Sequence, residues 1–432
     1  MKRIALFVAA LVMSNIAQAV NVEKLNLNVT DRALFVQQEQ IPTVKVLLSF
    51  KAGTIFEDEY AHGTANLLAN LITAGTEDKT AKQIQEELEK LASDIYIYSS
   101  RDELKVEVTS LAENIEPTLV ILQDVLTKAT FPEKEVNILK SSVAQAIKQQ
   151  KENPNVLAVS KARKEFYGED NIKAYVSNLG TLKSINTISR NDVKDYYEEY
   201  ITKENVSISV VASLPKEQME TLLDTYLSAM HTGARKQLVA PIPVGQTNRA
   251  LIHKELPQTT VMLYTAGIGR TDANYYPSVI FNYILGGGGF SSRLMEEIRE
   301  KRGLTYGVRS GFEYDLPYQG IFTISLQTSN VNKYKTESLI RKELGKIINK
   351  GVTEKEMNDA KDFLVGSFPV RLRTSDKLLG YLNVMQKFNL DLNYLNEWED
   401  KVAAVTLDEV NDFAKEIIKN EVDLSRVYVG GM

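Results

Sequence analysis

GGGGFSSRLMEEIREKRGLTYGV, residues 286–308, joins three local signals in one run. Gly286, Gly287, Gly288 and Gly289 close an apolar stretch, and four consecutive glycines give the backbone freedom that side chains would deny. Ser291 or Ser292 can cap a following helix. Glu296 and Glu297 fall in its first turns and Arg299, Lys301 and Arg302 in its last, the charge order that suits a helix dipole. Gly303 reads as the stop. The pattern then alternates, with Leu304, Tyr306 and Val308 on one side and Thr305, Gly307 and Arg309 on the other, which predicts a strand. The run is therefore loop, helix, strand, with a cation at the helix end and a phenol on the strand.

Working outward, the chain repeats itself. PTVKVLLSFKAG from Pro42 resembles QTTVMLYTAGIG from Gln258, FPEKEVNILK from Phe131 resembles VTEKEMNDAK from Val352, and DVKDYYEEYI from Asp192 resembles EVNDFAKEII from Glu409. Aligning Thr43 with Thr260, Phe131 with Val352 and Asp192 with Glu409 gives offsets of 217, 221 and 217 residues. Three matches in the same order at nearly one offset predict two homologous domains, here 20–232 and 247–432. The segment 233–246, with Pro241, Pro243 and Gly245 and little periodicity, reads as the linker. Each half begins with a strand (44–50; 261–265) and an apolar helix (65–73; 278–285). In the first half a polar helix from Ala81, strands at 95–99 and 103–110, and a helix over 115–128 follow. A longer helix runs from Glu133 to about Lys151, ended by Pro154, and helices near 157–166 and 190–201 lead to a strand at 206–211. Hairpin-like strand pairs among helices predict an α+β fold, not a doubly wound sheet.

A net charge of −5 and the absence of a basic footprint argue against nucleic acid as a partner. Residues 1–19, MKRIALFVAALVMSNIAQA, have a basic start, an apolar run from Ile4 to Met13 and an Ala17-Gln18-Ala19 end. They read as a cleaved secretory signal, which predicts a periplasmic or secreted protein. No later run is long and apolar enough to span a bilayer. There is no cysteine, which excludes disulfides and thiol chemistry.

The duplication together with residues 286–308 resembles the pitrilysin/insulinase family of zinc peptidases, in its two-domain bacterial and mitochondrial-processing form. The resemblance implies two peptidase-like domains, each a mainly antiparallel sheet flanked by helices, facing each other as half of a clamshell. Active members carry H-x-x-E-H on the first helix of the first domain, where two histidines one turn apart hold zinc and the glutamate activates water. Here the corresponding run is GTANLLANLITAGT from Gly63. Asn66 and Asn70 stand in place of the histidines and Ala69 in place of the glutamate. The further glutamate that the family places downstream falls at Gln145 or Ala146. Strong zinc sites gain about 10–16 kcal/mol from their donors, and amide oxygens are poor substitutes, so the resemblance implies no metal in this chain. His62, His231 and His253 are far apart and lack a zinc spacing, and His62 reads as a surface or helix-start residue.

A second family pair survives as Arg299-E-K-R-G-L-T-Tyr306. Taken alone, Arg299 is a dipole-matching cation and Tyr306 a packed strand aromatic. The resemblance gives them another role: in active relatives this pair reaches the substrate carbonyl beside the metal, where both groups can donate to developing negative charge. Gly286 to Gly289 resemble the family's substrate-handling glycine loop, and no G-K-[ST] follows to support phosphate binding of the Walker type. The reading is a non-catalytic subunit of a two-chain zinc peptidase. A homologous partner would carry H-x-x-E-H and the zinc, this chain would supply Arg299 and Tyr306, and the substrate would be an extended peptide. Two rivals remain at this stage: a peptide-binding or scaffold protein of the same fold, and a peptidase working through an unrecognised site.

Overall fold

The computed structural model describes residues 19–57, 60–168, 171, 177–244, 249–419 and 424–431. The basic and apolar parts of the predicted signal lie outside them, as do linker residues 245–246 and residues 247–248 of the predicted second domain. In the first half, β1 (Glu23–Lys24), β2 (Ala33–Gln37), β3 (Thr43–Phe50), β4 (Asp94–Ser99), β5 (Leu104–Leu111) and β6 (Val206–Ala212) form a sheet in the order β1-β2-β6-β3-β5-β4. In the second half, β7 (Arg249–His253), β8 (Gln258–Ala266), β9 (Val308–Phe312), β10 (Ile321–Ser329) and β11 (Ser425–Gly430) form a sheet in the order β7-β11-β8-β10-β9. Each sheet has a single parallel contact, β2 with β6 and β7 with β11, and is otherwise antiparallel. The second sheet repeats the first strand for strand except for β1. The sequence repeat is thus a repeat of topology, and the fold is α+β and duplicated.

The helices of the first half are α1 (Thr64–Leu71), α2 (Ala81–Lys90), α3 (Ile115–Thr127), α4 (Glu133–Gln150), α5 (Pro154–Tyr167), α6 (Leu182–Thr187), α7 (Arg190–Tyr200) and α8 (Lys216–Leu227). Those of the second are α9 (Tyr275–Asn282), α10 (Lys333–Lys350), α11 (Glu354–Arg371), α12 (Ser375–Lys387), α13 (Tyr394–Ala404) and α14 (Leu407–Ile418). The repeat extends to the caps. Ser189 and Asp192 close a capping box on α7, and Thr406 and Glu409 close the equivalent box on α14. α4 lacks the Thr353–Glu356 box of its counterpart α11, because Pro132 occupies the cap position.

Two equivalent helices are exchanged between the halves. α5 packs on β8 and β11 of the second sheet, and α12 packs on β2, β3 and β6 of the first. Leu378, Leu379, Leu382 and Met385 of α12 share a buried cluster with Leu34, Val36, Leu47 and Val211. Ala158, Ala162 and Phe166 of α5 share one with Met262, Tyr264, Val427 and Val429. Polar contacts fix the register. Gln386 Nε2 donates to Ile208 O and Ser209 Oγ, both at 2.8 Å, and the Tyr264 hydroxyl donates to Glu165 at 2.7 Å. Each sheet therefore buries its second face under a helix from the other half, and the halves form one packed body.

Three local expectations differ from the structure. Pro154 does not end α4, which stops at Gln150; it opens α5, where Asn153 Oδ1 caps Asn155 and Val156 and the missing N–H of proline costs nothing. The strand predicted from Leu304 begins only at Val308. The Thr305 side chain builds a local turn instead: its single O–H lies between Gln327 O (2.7 Å) and Gly307 O (2.9 Å), and its oxygen accepts from Gly307 N (3.1 Å). Ser292 caps no helix with its side chain: its hydroxyl donates to Gly289 O at 2.7 Å. The short strands β1 and β2, helix α8 and the closing strand β11 add to what periodicity revealed. Among the described residues no helix is long and apolar enough to cross a membrane.

Candidate functional site

α1 carries the three positions that would hold a metal in an active relative. Its cap, Gly63, has φ 107°, and an added Cβ would meet Ile185 Cδ1 at 2.6 Å and Leu179 O at 2.8 Å, so only glycine fits there. The free N–H groups of this helix end are taken by Glu57, which is buried. Its carboxylate accepts from Ala65 N at 2.7 Å and from Gly63 N at 3.1 Å, with His62 Nδ1 at 3.2 Å. Burial pushes the Glu57 carboxyl above its ordinary range, and the hydrogen bonds from His62, Ala65 and Gly63 oppose that push. His62 is accordingly a helix-start residue tied to a buried acid.

One turn inside the helix, Asn66 is buried and its Oδ1 has no hydrogen-bond partner. Asn70 is exposed and turns its Nδ2 back to Asn66 O at 2.8 Å. Ala69 between them is buried. α4 packs against α1 and carries Gln145, exposed, and Ala146, half-buried. None of these five side chains is a carboxylate or an imidazole. Among the described residues, no group of three or more His, Cys, Asp or Glu side chains is placed to hold a metal ion. The site does not fit zinc.

The glycine loop lies between two turns with π-type hydrogen bonding, Tyr283–Gly287 and Met295–Glu300. Such turns widen the helix by one residue and often mark functional positions. Gly286 is buried where this wide turn meets β9: a Cβ there would stand 2.6 Å from Ser310 Oγ and 2.7 Å from Ser310 N. Gly287 and Gly289 are exposed and Gly288 is half-buried. Phe290, which follows, is 62% exposed, and the Arg299 guanidinium carbon sits 4.5 Å from its ring centroid. The neighbouring cations are occupied. Lys301 pairs with Glu296 (2.9 Å) and Glu297 (3.1 Å), while Arg302 pairs with Glu297 (2.7 Å) and donates to its carbonyl oxygen (2.6 Å). Lys301 and Arg302 thus serve the helix terminus, and Arg299 is half-buried with no ion pair among the described residues. Tyr306 is 87% exposed, on the Thr305 turn and not packed on a strand. The structure brings Phe290, next to Gly289, against Arg299, leaves Tyr306 exposed on the Thr305 turn, and places Asn66, Ala69 and Asn70 on one helix of the first half.

Two family models match the chain in tandem. The model described as insulinase (peptidase family M16) covers residues 32–177, and that described as peptidase M16 inactive domain covers residues 187–364. The chain belongs to the M16 peptidase family. It is similar to the non-peptidase homolog YmxG of Helicobacter pylori, 25% identical over 385 residues and 88% of each chain. It is also similar to the uncharacterized zinc protease YmxG of Bacillus subtilis, 24% identical over 402 residues, 91% of this chain and 95% of that one. A crystal structure of a peptidase M16 inactive domain from Pseudomonas fluorescens superposes with a TM-score of 0.89 at 29% identity, covering 96% of this chain and 98% of that one.

Within M16 the chain is an inactive-type homologue, with every metal-motif position substituted. Three residues around the site had no signal in the sequence. Glu57 precedes α1 in no recognised pattern, Phe290 reads as part of a glycine loop, and Thr305 reads as a strand residue. Only the fold brings Glu57 to the helix end and the Phe290 ring under Arg299.

Proposed function

We propose that this M16 homologue is the non-catalytic subunit of a heterodimeric zinc metallopeptidase in the periplasm, or secreted after removal of its signal. Its homologous partner carries H-x-x-E-H and the zinc, and the substrate is an extended peptide. This chain contributes Arg299 and Tyr306, which donate to the substrate carbonyl as negative charge develops on its oxygen. Gly286 to Gly289 offer backbone that a peptide can approach closely, and extended peptides are read through main-chain hydrogen bonds. The observation that carries the reading is one of contrast. The metal positions hold Asn66, Ala69 and Asn70, while Arg299 and Tyr306 have no ion pair or hydrogen bond through their side chains among the described residues, and Tyr306 is exposed. A donor pair kept available in a chain without metal ligands at the motif positions suits a reaction centre completed by another chain.

The test is reconstitution. The purified chain should cleave no peptide and hold no stoichiometric zinc, and mixing with its H-x-x-E-H partner should produce peptidase activity. In the complex, Tyr306→Phe should lower kcat about 10²–10³-fold, the usual cost of one such donor, with KM little changed. Full rate in that complex would remove the role of Tyr306. A complex that forms and binds peptide but gains no activity would favour a peptide-binding or scaffold protein. Zinc-dependent cleavage by the isolated chain would point to a site of its own.

A further inference from the structure

A cavity of about 930 Å³ lies where the strand ends of the first sheet, the linker and the C-terminal end of α12 meet. Five cationic side chains line it: Lys24 on β1, Lys387 at the end of α12, and, from three further segments, Arg32 just before β2, Lys51 just after β3 and Arg235 in the linker. None of the last three forms an ion pair among the described residues. Arg32 Nη2 donates to Val206 O at 2.9 Å, which orients the guanidinium without neutralising it. Burial lowers the pKa of both Arg32 and Lys51 and the Arg235 charge pushes both the same way, while Glu103, and at Arg32 also Asp31, pushes back. Of the four acids lining the cavity, two are ion-paired with lysines and two lie open to solvent. Asp102 pairs with Lys387, and Glu103 with Lys105 at 3.1 Å. Asp31 and Asp391 are exposed, and Asp391 accepts from Asn393 N at 2.8 Å.

A second observation points into the same space. Ser49 lines the cavity, is 3% exposed, and its hydroxyl has no hydrogen-bond partner. A buried hydroxyl without a partner costs free energy unless something in the cavity completes it. Like charges gathered in one cavity repel one another, and Glu103 and Asp31 offset that repulsion without reversing the net downward shift of Arg32 and Lys51. Phosphate oxygens accept from guanidinium, ammonium and hydroxyl donors together, and the volume lies in the range of small-ligand sites.

We propose that this cavity binds a small multivalent anion of the condensed-phosphate type, held by Arg32, Lys51 and Arg235, with Ser49 Oγ as a further donor. The site is distinct from Arg299 and Tyr306 and does not depend on a peptidase role. The experiment is titration calorimetry of the purified chain with inorganic tripolyphosphate, with citrate as the polycarboxylate comparison. One site is expected, with affinity for tripolyphosphate above that for citrate. It should weaken about tenfold or more in Lys51→Ala and in Arg235→Ala, since each removes a charge-assisted contact. Arg235 is exposed, so its variant should melt no lower than the parent. Without ligand, Lys51→Met should melt above the parent, because it relieves the repulsion, and that gain should vanish in tripolyphosphate. Absence of tripolyphosphate binding, unchanged affinity in both alanine variants, or tighter binding of citrate would overturn the assignment.

Discussion

The Arg299 guanidinium carbon lies 4.5 Å from the centroid of the Phe290 ring. Phe290 is largely exposed, so the ring serves the cation more than the core. An exposed cation–π contact is worth about 0.5–1 kcal/mol. Phe290→Ala should therefore lower turnover of the reconstituted complex only about two- to fivefold, and Phe290→Trp should restore it. Arg299→Ala should cost far more. Neither should move the melting temperature of the free chain by more than a surface change does, about 0.5 kcal/mol. Equal kinetic losses in the two alanine variants would mean that Phe290 acts on substrate directly and not through Arg299.

Thr305 makes the turn that carries Tyr306. Its hydroxyl holds Gly307 and Gln327 together, and the side chain is buried. Thr305→Val keeps the shape and leaves those groups without their partner, at a cost of about 1–3 kcal/mol. The variant should melt lower and also lose turnover in the complex, because Tyr306 is no longer held. Tyr306→Phe, altering an exposed group, should lose turnover with no change in melting. Thermal melts set beside single-turnover rates separate the two effects.

These residues also show where sequence reasoning runs out. The duplication was legible because it preserves apolar spacing and even the N3 acids Asp192 and Glu409 of equivalent capping boxes. That Asn66, Ala69 and Asn70 offer neither imidazole nor carboxylate was legible because ligand chemistry belongs to residue type. Tyr306 was misplaced on a strand because alternation from Leu304 to Arg309 cannot register that Thr305 spends its hydroxyl on the backbone. The exchange of α5 and α12 was not legible at all. Periodicity marks Leu378, Leu382 and Met385 as one apolar face without saying which sheet receives it. The unpaired cations Arg32, Lys51 and Arg235 are about two hundred residues apart at the extremes and meet only in the fold.

Glu57 gives the fold a titration with a defined sign. Its carboxyl is raised above an ordinary value of 4.5, chiefly by burial. A group with a raised folded pKa binds its proton more tightly in the native state, so it contributes stability at low pH. That contribution is lost as pH rises from about 4.5 through the folded value. Glu57→Gln does not titrate. The variant forfeits a carboxylate oxygen at the α1 terminus and should melt below the parent at pH 4.5, and the gap should narrow towards pH 7. A gap that widens with pH would show that the hydrogen bonds from Gly63, Ala65 and His62 outweigh burial.

Helix α12 belongs to the second half in sequence and to the first sheet in packing, which makes the halves interdependent. Leu382 is fully buried among Leu34, Val36, Leu47 and Val211. Leu382→Ala should cost about 2–5 kcal/mol through lost burial and a residual cavity. If the exchanged helices bind the halves into one cooperative unit, the melt of this variant stays a single transition at lower temperature. Hydrogen exchange should then quicken in β3 and β6 of the first half as well as in α12, because their shared face loses its cover. Gln386→Ala, which removes the bonds to Ile208 and Ser209, should produce the same pattern more weakly. Faster exchange confined to the second half would mean that α12 rests on the first sheet without stabilising it, and the two halves would then have to be treated as independent folding units.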